Sequence, residues 1–202
     1  MTLTRPSVVV ILAAGEGTRM KSALPKVLHQ VAGRTMVGHV IEAASGIEPE
    51  QLVVVVGHGR DQVTAHVAEI APWAHTVVQE EQLGTGHAVR TALAGLAAEG
   101  VVVSGGPVVV LSGDTPLLRT QTLVALLGDH ENAAARATVL TARVQNPQGY
   151  GRIIRGDADE LLAIVEDKDA SEEQRRVDEI NSGIYAFDGV SLVDALTRIT
   201  TD

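Results

Sequence analysis

Three short runs, Val8 to Leu12, Val53 to Val56 and Val108 to Leu111, are continuously apolar and rich in β-branched residues, and each gives way to Gly, Ser or Asp. Unbroken runs of this length suit strands buried on both faces rather than strands with one wet side. Between them, apolar residues recur at helical spacing: Val89, Ala92, Leu93 and Leu96 after Gly86, and Leu123, Leu126 and Leu127 after Thr120. The stretches Met36 to Ala44 and Asp61 to Ile70 carry the same period more weakly. Alternating strand and helix predicts an α/β domain with a mostly parallel sheet flanked by helices and right-handed crossovers. Ligands of such sheets sit beyond the carboxyl ends of the strands. The loops after Leu12, Gln79 and Leu111 are therefore expected to converge on one crevice.

After Asn132 the rhythm changes. Ala137 to Arg143, Arg152 to Arg155, Leu161 to Glu166 and Ile180 to Phe187 read as strands with little helix between them. This predicts a nucleotide-binding part over about residues 1–132 and an antiparallel lobe over about 133–188 that covers the crevice and holds a second substrate. Val190 to Ile199 reads as a helix, and Val101 to Gly106 is left unassigned.

Composition narrows the field. The 202 residues are 45% hydrophobic but only 2% aromatic, so the core is aliphatic and stacking platforms for single-stranded nucleic acid are scarce. A formal charge of -9 argues further against nucleic acid as partner. The absence of cysteine removes disulfides, thiolate zinc sites and a thiol nucleophile. Arg5 before the apolar run Val8 to Ala14 superficially resembles a secretory leader, but that run is at the short limit and meets Gly-Glu-Gly, so a strand is the expectation. No stretch reads as a membrane span, since Gly105, Gly106 and Pro107 break the apolar window from Val101 to Gly113.

Against this acidic background the segment from Glu16 to Lys26 carries Arg19, Lys21 and Lys26 against one acid. It follows Gly15 and Gly17, whose small size and freedom to take positive φ allow an anion to approach backbone N–H groups. A cationic glycine loop at a strand end handles phosphate. A Walker loop is excluded because Met20 stands where its second glycine belongs, and the same Met20 replaces the third glycine of a dinucleotide fingerprint. The chain has only three lysines, and two fall in this loop.

Leu12-Ala-Ala-Gly-Glu-Gly-Thr-Arg-Met20 followed by Pro25-Lys-Val-Leu28 resembles the signature loop of the nucleoside-diphosphate-sugar pyrophosphorylases. With His29 and the string Gln82-Leu-Gly-Thr-Gly-His-Ala88, the resemblance narrows to the bacterial N-acetylglucosamine-1-phosphate uridyltransferases, along nearly the whole chain. It implies a Rossmann-like nucleotide-diphospho-sugar transferase fold and transfer of uridylate from UTP to N-acetylglucosamine 1-phosphate. The products would be UDP-N-acetylglucosamine and pyrophosphate, with Mg²⁺ as cofactor. The setting implied is cytoplasmic synthesis of peptidoglycan and lipopolysaccharide precursors. It also implies that the transferase domain continues past Asp202, where an Asn supplies a second metal ligand. An acetyltransferase domain of hexapeptide repeats then follows, carrying the main contacts of a homotrimer.

Residue by residue, Arg19 and Lys26 become catalytic candidates. Charge grows on phosphate oxygens during transfer, and pre-placed cations lower that barrier. Arg19 offers a fork suited to leaving-group oxygens and Lys26 a point charge. Asp114, just past the strand ending at Leu111, reads as a turn residue or a ligand for Mg²⁺, and the resemblance makes it the metal ligand. By resemblance Leu12, Ala13, Ala14, Gly15, Gln79, Gly84, Thr85, Ser112 and Gly113 bind the nucleotide, although Thr85 alone could be an N-cap. Gln79 can hydrogen-bond a base, but a free amide flips to suit uracil or cytosine, so it does not choose between them. Gly151, Glu166 and Asn181 become the sugar site, with Asn181 toward the acetamido group. The seven histidines form no motif for metal, and His58 and His87 are loop positions able to touch substrate or merely to support the fold. Neither Ser112 nor Ser182 has a nucleophile-elbow context. Competing readings are glucose 1-phosphate with UTP or dTTP, a cytidylyltransferase, and a nucleotide-sugar-binding module without turnover. The module has least need of Arg19, Lys26 and Asp114 together.

Overall fold

The computed structural model describes residues 4–17, 20–101 and 105–199. In chain order the elements are β1 (Val8–Ala13), β2 (Gln30–Val31), β3 (Arg34–Thr35), α1 (Met36–Ser45), β4 (Gln51–Val56), α2 (Arg60–Ile70), β5 (His75–Val78) and α3 (Thr85–Ala98). There follow β6 (Val108–Ser112), α4 (Thr120–Asn132), β7 (Ala137–Arg143), β8 (Arg152–Arg155), β9 (Leu161–Val165), α5 (Glu172–Arg175), β10 (Glu179–Phe187) and α6 (Gly189–Leu196). They form two compact units, one of Met1–Thr138 with Tyr185–Asp202 and one of Val139–Ile184.

The first unit is built on parallel strands in the order β5-β4-β1-β6. β1 is central, pairing Val8 to Ala13 with Gln51 to Val56 on one side and Val8 to Leu12 with Val108 to Ser112 on the other. The continuous valine runs are explained by burial on both faces. Val8, Val10, Val53, Val55, Val108 and Val110 pack on Ala92 and Leu96 of α3 and Leu192 and Leu196 of α6. Alternation sends Val9, Ile11, Val54 and Val109, all 0% exposed, to the other face, where α1 and α2 pack. The parallel strands stop at β6, whose far side takes the Tyr185–Phe187 end of β10 in antiparallel register. The fully buried core is aliphatic, with Tyr185 and Phe187 packed partly buried against it, and the one tryptophan, Trp73, lies outside it, 54% exposed in the turn between α2 and β5.

The second unit is antiparallel. β8 pairs with β9 through Arg152↔Val165 to Ile154↔Ala163, and Ile180 of β10 pairs with Arg152. Its burial is sparse: Leu161 and Leu162 stand exposed, while Arg152 is 2% exposed and bonds Asp167 Oδ1 at 2.9 Å. Glu179, also buried, takes two bonds from the Arg155 guanidinium at 2.9 and 2.8 Å.

Several details depart from the sequence reading. The strand foreseen from Ile180 to Phe187 does not belong wholly to the lobe, because its last three residues pair with β6. The helix foreseen over Val190 to Ile199 runs from Gly189 to Leu196, starting where the Asp188 side chain caps Ser191 N at 2.8 Å. The β2–β3 hairpin and the one-turn helix α5 were not anticipated. α5 begins at a capping box in which Ser171 and Gln174 satisfy each other's backbone N–H.

Candidate active site

β1 ends at Ala13, and from there Ala14, Gly15 and Gly17 line one side of a cavity of about 360 Å³. Gly17 has φ 62, and a Cβ on it would stand 2.6 Å from Lys26 Cβ, so only glycine lets the loop fold down on the lysine. Gly15 does not have positive φ; the space around it is open, with nothing within 4 Å of where a Cβ would be. Its smallness keeps the cavity mouth clear.

Lys26 opens a single 3-10 turn, Lys26–Leu28, pinned by the buried Val27 and Leu28. From there its ammonium reaches Asp114 Oδ2 at the end of β6, while Asp114 Oδ1 accepts from Ser112 Oγ at 2.6 Å. Burial pushes the Asp114 pKa up, but the Lys26 ammonium and the Ser112 hydroxyl outweigh it, and the carboxyl lies below its ordinary value. It is a carboxylate at neutral pH. Gly113, foreseen as a nucleotide-binding residue, does not line the cavity; its N–H donates to Leu12 O at 2.9 Å.

The opposite wall comes from the loop between β5 and α3. Gln79 is 5% exposed, and its backbone N–H donates to Val56 O at 2.8 Å. Gly84 holds φ 93 and ψ 176, a conformation open almost only to glycine, and serves as N-cap of α3 without a side-chain bond. Thr85 is therefore the first residue of the helix and not its cap, and it lines the cavity.

The cavity thus gathers Leu12, Ala13, Ala14, Gly15, Lys26, Gln79, Gly84, Thr85, Ser112 and Asp114, all foreseen as site residues. Arg19 lies outside the described residues. Gln82 was missed as a site residue: it lines the cavity, and its Nε2 donates to Ala14 O at 2.8 Å, bracing the glycine loop. The signal available was its place in the Gln82-Leu-Gly-Thr-Gly string. His58 enters only by its backbone N–H, which donates to Ala14 O at 3.3 Å.

In the second unit Gly151, Glu166 and Asn181 come together by themselves. A Cβ on Gly151 would meet Glu166 Oε1 at 3.2 Å and Asn181 Cβ at 3.5 Å, and Asn181 N–H donates to Gly151 O at 2.8 Å. Among the described residues no three His, Cys, Asp or Glu cluster to hold a metal ion. No described helix is long and apolar enough to cross a membrane.

A cationic glycine loop, a carboxylate at the next strand end and an amide wall surround one cavity, the arrangement of an NTP transferase domain. Residues 9–180 match the MobA-like NTP transferase domain, and the chain belongs to that family. Over its whole length it is 58% identical to the bifunctional protein GlmU of Streptomyces coelicolor, 55% to that of Thermobifida fusca and 60% to that of Streptomyces avermitilis. It covers 41%, 42% and 41% of those proteins, and so spans about two fifths of the length of the curated relatives it matches.

Proposed function

We propose that the chain carries out uridylyl transfer from UTP to N-acetylglucosamine 1-phosphate, giving UDP-N-acetylglucosamine and pyrophosphate for cell-wall precursor synthesis in the cytoplasm. The observation that carries this reading is the single cavity in which the glycine loop, the Lys26–Asp114 pair and Gln79 meet. Its volume suits part of a nucleotide rather than a polymer.

In this reading a phosphate oxygen of the sugar 1-phosphate attacks the α-phosphorus of UTP, forming one P–O bond as the bond to the β-phosphate oxygen breaks. The attacking oxygen is already anionic, so alignment and charge neutralisation suffice and no general base is needed. Lys26 neutralises phosphate oxygens, and open backbone at Gly15 admits them. Asp114 would hold Mg²⁺. A lone carboxylate fits that ion only if phosphate oxygens and water complete its octahedron, the usual arrangement at nucleotide sites. Bound there, the ion would add positive charge where charge develops. Gly151, Glu166 and Asn181 take the sugar.

Pyrophosphate release is the test, measured with a grid of UTP, CTP, dTTP and ATP against N-acetylglucosamine 1-phosphate and glucose 1-phosphate, with Mg²⁺ titrated. Turnover confined mainly to UTP with N-acetylglucosamine 1-phosphate, and dependent on Mg²⁺, is expected. Faster turnover with another pair, or binding of UDP-N-acetylglucosamine without turnover by any pair, would overturn the reading.

A further inference from the structure

The amide of Gln79 is held from its nitrogen side. Nε2 faces two atoms, Gly84 O at 3.4 Å and His87 Nδ1 at 2.9 Å. A backbone carbonyl can only accept, so the group facing Gly84 is the NH₂ and the amide has one orientation. That in turn fixes the imidazole: Nδ1 offers a lone pair and the ring proton sits on Nε2. Both amide hydrogens of Gln79 are then engaged. Its carbonyl oxygen Oε1 takes no bond among the described residues, yet it is not among the buried side-chain atoms left without a partner. Gln79 lines the cavity, so Oε1 stands on the wall as an open acceptor.

We propose that His87 is a positioning residue that locks the Gln79 amide through Nδ1 and thereby sets which pyrimidine the cavity accepts. This rests on the reading above, in which the base of the nucleotide lies against Gln79. Uracil carries hydrogen on ring nitrogen N3 and can donate it to Oε1. Cytosine has a lone pair there, and two acceptors facing each other repel. Accepting cytosine in the same pose would require the amide to turn over. That would set Oε1 against Gly84 O and force the His87 proton onto Nδ1. Without His87 only the long 3.4 Å bond to Gly84 O resists the turn. A free glutamine is ambivalent toward the two bases, and this one is not.

The test titrates UDP and CDP into the wild-type chain and into His87→Leu and His87→Asn. The wild type should prefer UDP. Leucine fills space but accepts nothing, so the UDP-to-CDP affinity ratio should fall about two- to tenfold, the worth of one neutral hydrogen bond. Asparagine places an acceptor oxygen near the lost Nδ1 and should restore most of the ratio. In the wild type, ¹⁵N NMR should find Nδ1 unprotonated and shifted by the bond from Gln79, and in Gln79→Leu that shift should vanish; this reads the contact even if His87→Leu does not fold. A wild-type ratio in His87→Leu, or a proton on Nδ1, would overturn the role of His87 alone. Equal affinity of the wild type for UDP and CDP would overturn the uridine reading and this inference with it.

Discussion

Lys26 and Asp114 are 88 positions apart in sequence, and their contact exists because two neighbouring parallel strands end at the same height. The lysine side chain is 37% exposed, so its partner oxygens can change from Asp114 to a phosphate without unfolding anything. Lys26→Met should therefore leave the melting temperature within a few degrees while cutting kcat by about 10²–10³, the usual loss when one pre-placed donor to a developing charge is removed. Circular dichroism melts beside a pyrophosphate assay would check this, and normal turnover would place Lys26 outside the reaction. In the second unit, Asn181→Ala should lower the preference for N-acetylglucosamine 1-phosphate over glucose 1-phosphate by several-fold up to about tenfold, since in the proposed sugar site Asn181 is one hydrogen-bonding partner of the acetamido group. An unchanged ratio of kcat/KM values would reject that role. Most of the cavity-lining residues were legible because small and charged residues interrupt apolar runs at strand ends. The state of the Gln79 amide was not, because its partners are an imidazole in the first turn of α3 and the Gly84 carbonyl.

At the level of elements, strands buried on both faces were legible from unbroken valine runs, as β1, β4 and β6 illustrate. Elements with less periodic burial were less visible. α2 buries only Val63 and Val67, and the β2–β3 pairing has two residues on each strand, too few for any alternation to register. The second unit hides a different determinant, an ion-pair knot on β10. Arg155 pulls the buried Glu179 carboxyl down from 4.5 to about 2 against the opposing effect of burial, with Thr141 and Arg143 assisting. A depressed carboxylate contributes stability that is complete above the unfolded pKa and lost as pH falls through the folded one. The knot should therefore hold at pH 5 and weaken progressively from about 4.5 toward 2. Hydrogen exchange of β8 and β10 amides across that range is the measurement, and Glu179→Gln should abolish the pH-dependent step. Flat protection down to pH 2 in the wild type would show that the aliphatic contacts of this unit suffice without the ion pairs.

For the molecule as a whole, the continuous apolar runs required an α/β sheet, and nearly the only choice left to the sequence was which large side chains to use. It chose almost no aromatic ones: one Trp, two Tyr and one Phe among 202 residues. What could not be read was the point at which β10 leaves the second unit, because it changes unit between Ile184 and Tyr185 with no break in its pattern of strand residues. The aliphatic core has an optical corollary. Its single indole, Trp73, sits half in water beside Ile70 and His66 in a groove apart from the cavity residues, so its emission cannot follow the core as it melts and should stay nearly constant when nucleotide binds. Few protein chromophores therefore compete where a nucleobase absorbs most strongly. Transfer of a uracil from water onto the Gln79 wall, as proposed, should be visible by ultraviolet difference spectroscopy, with the ligand as the main chromophore that changes surroundings.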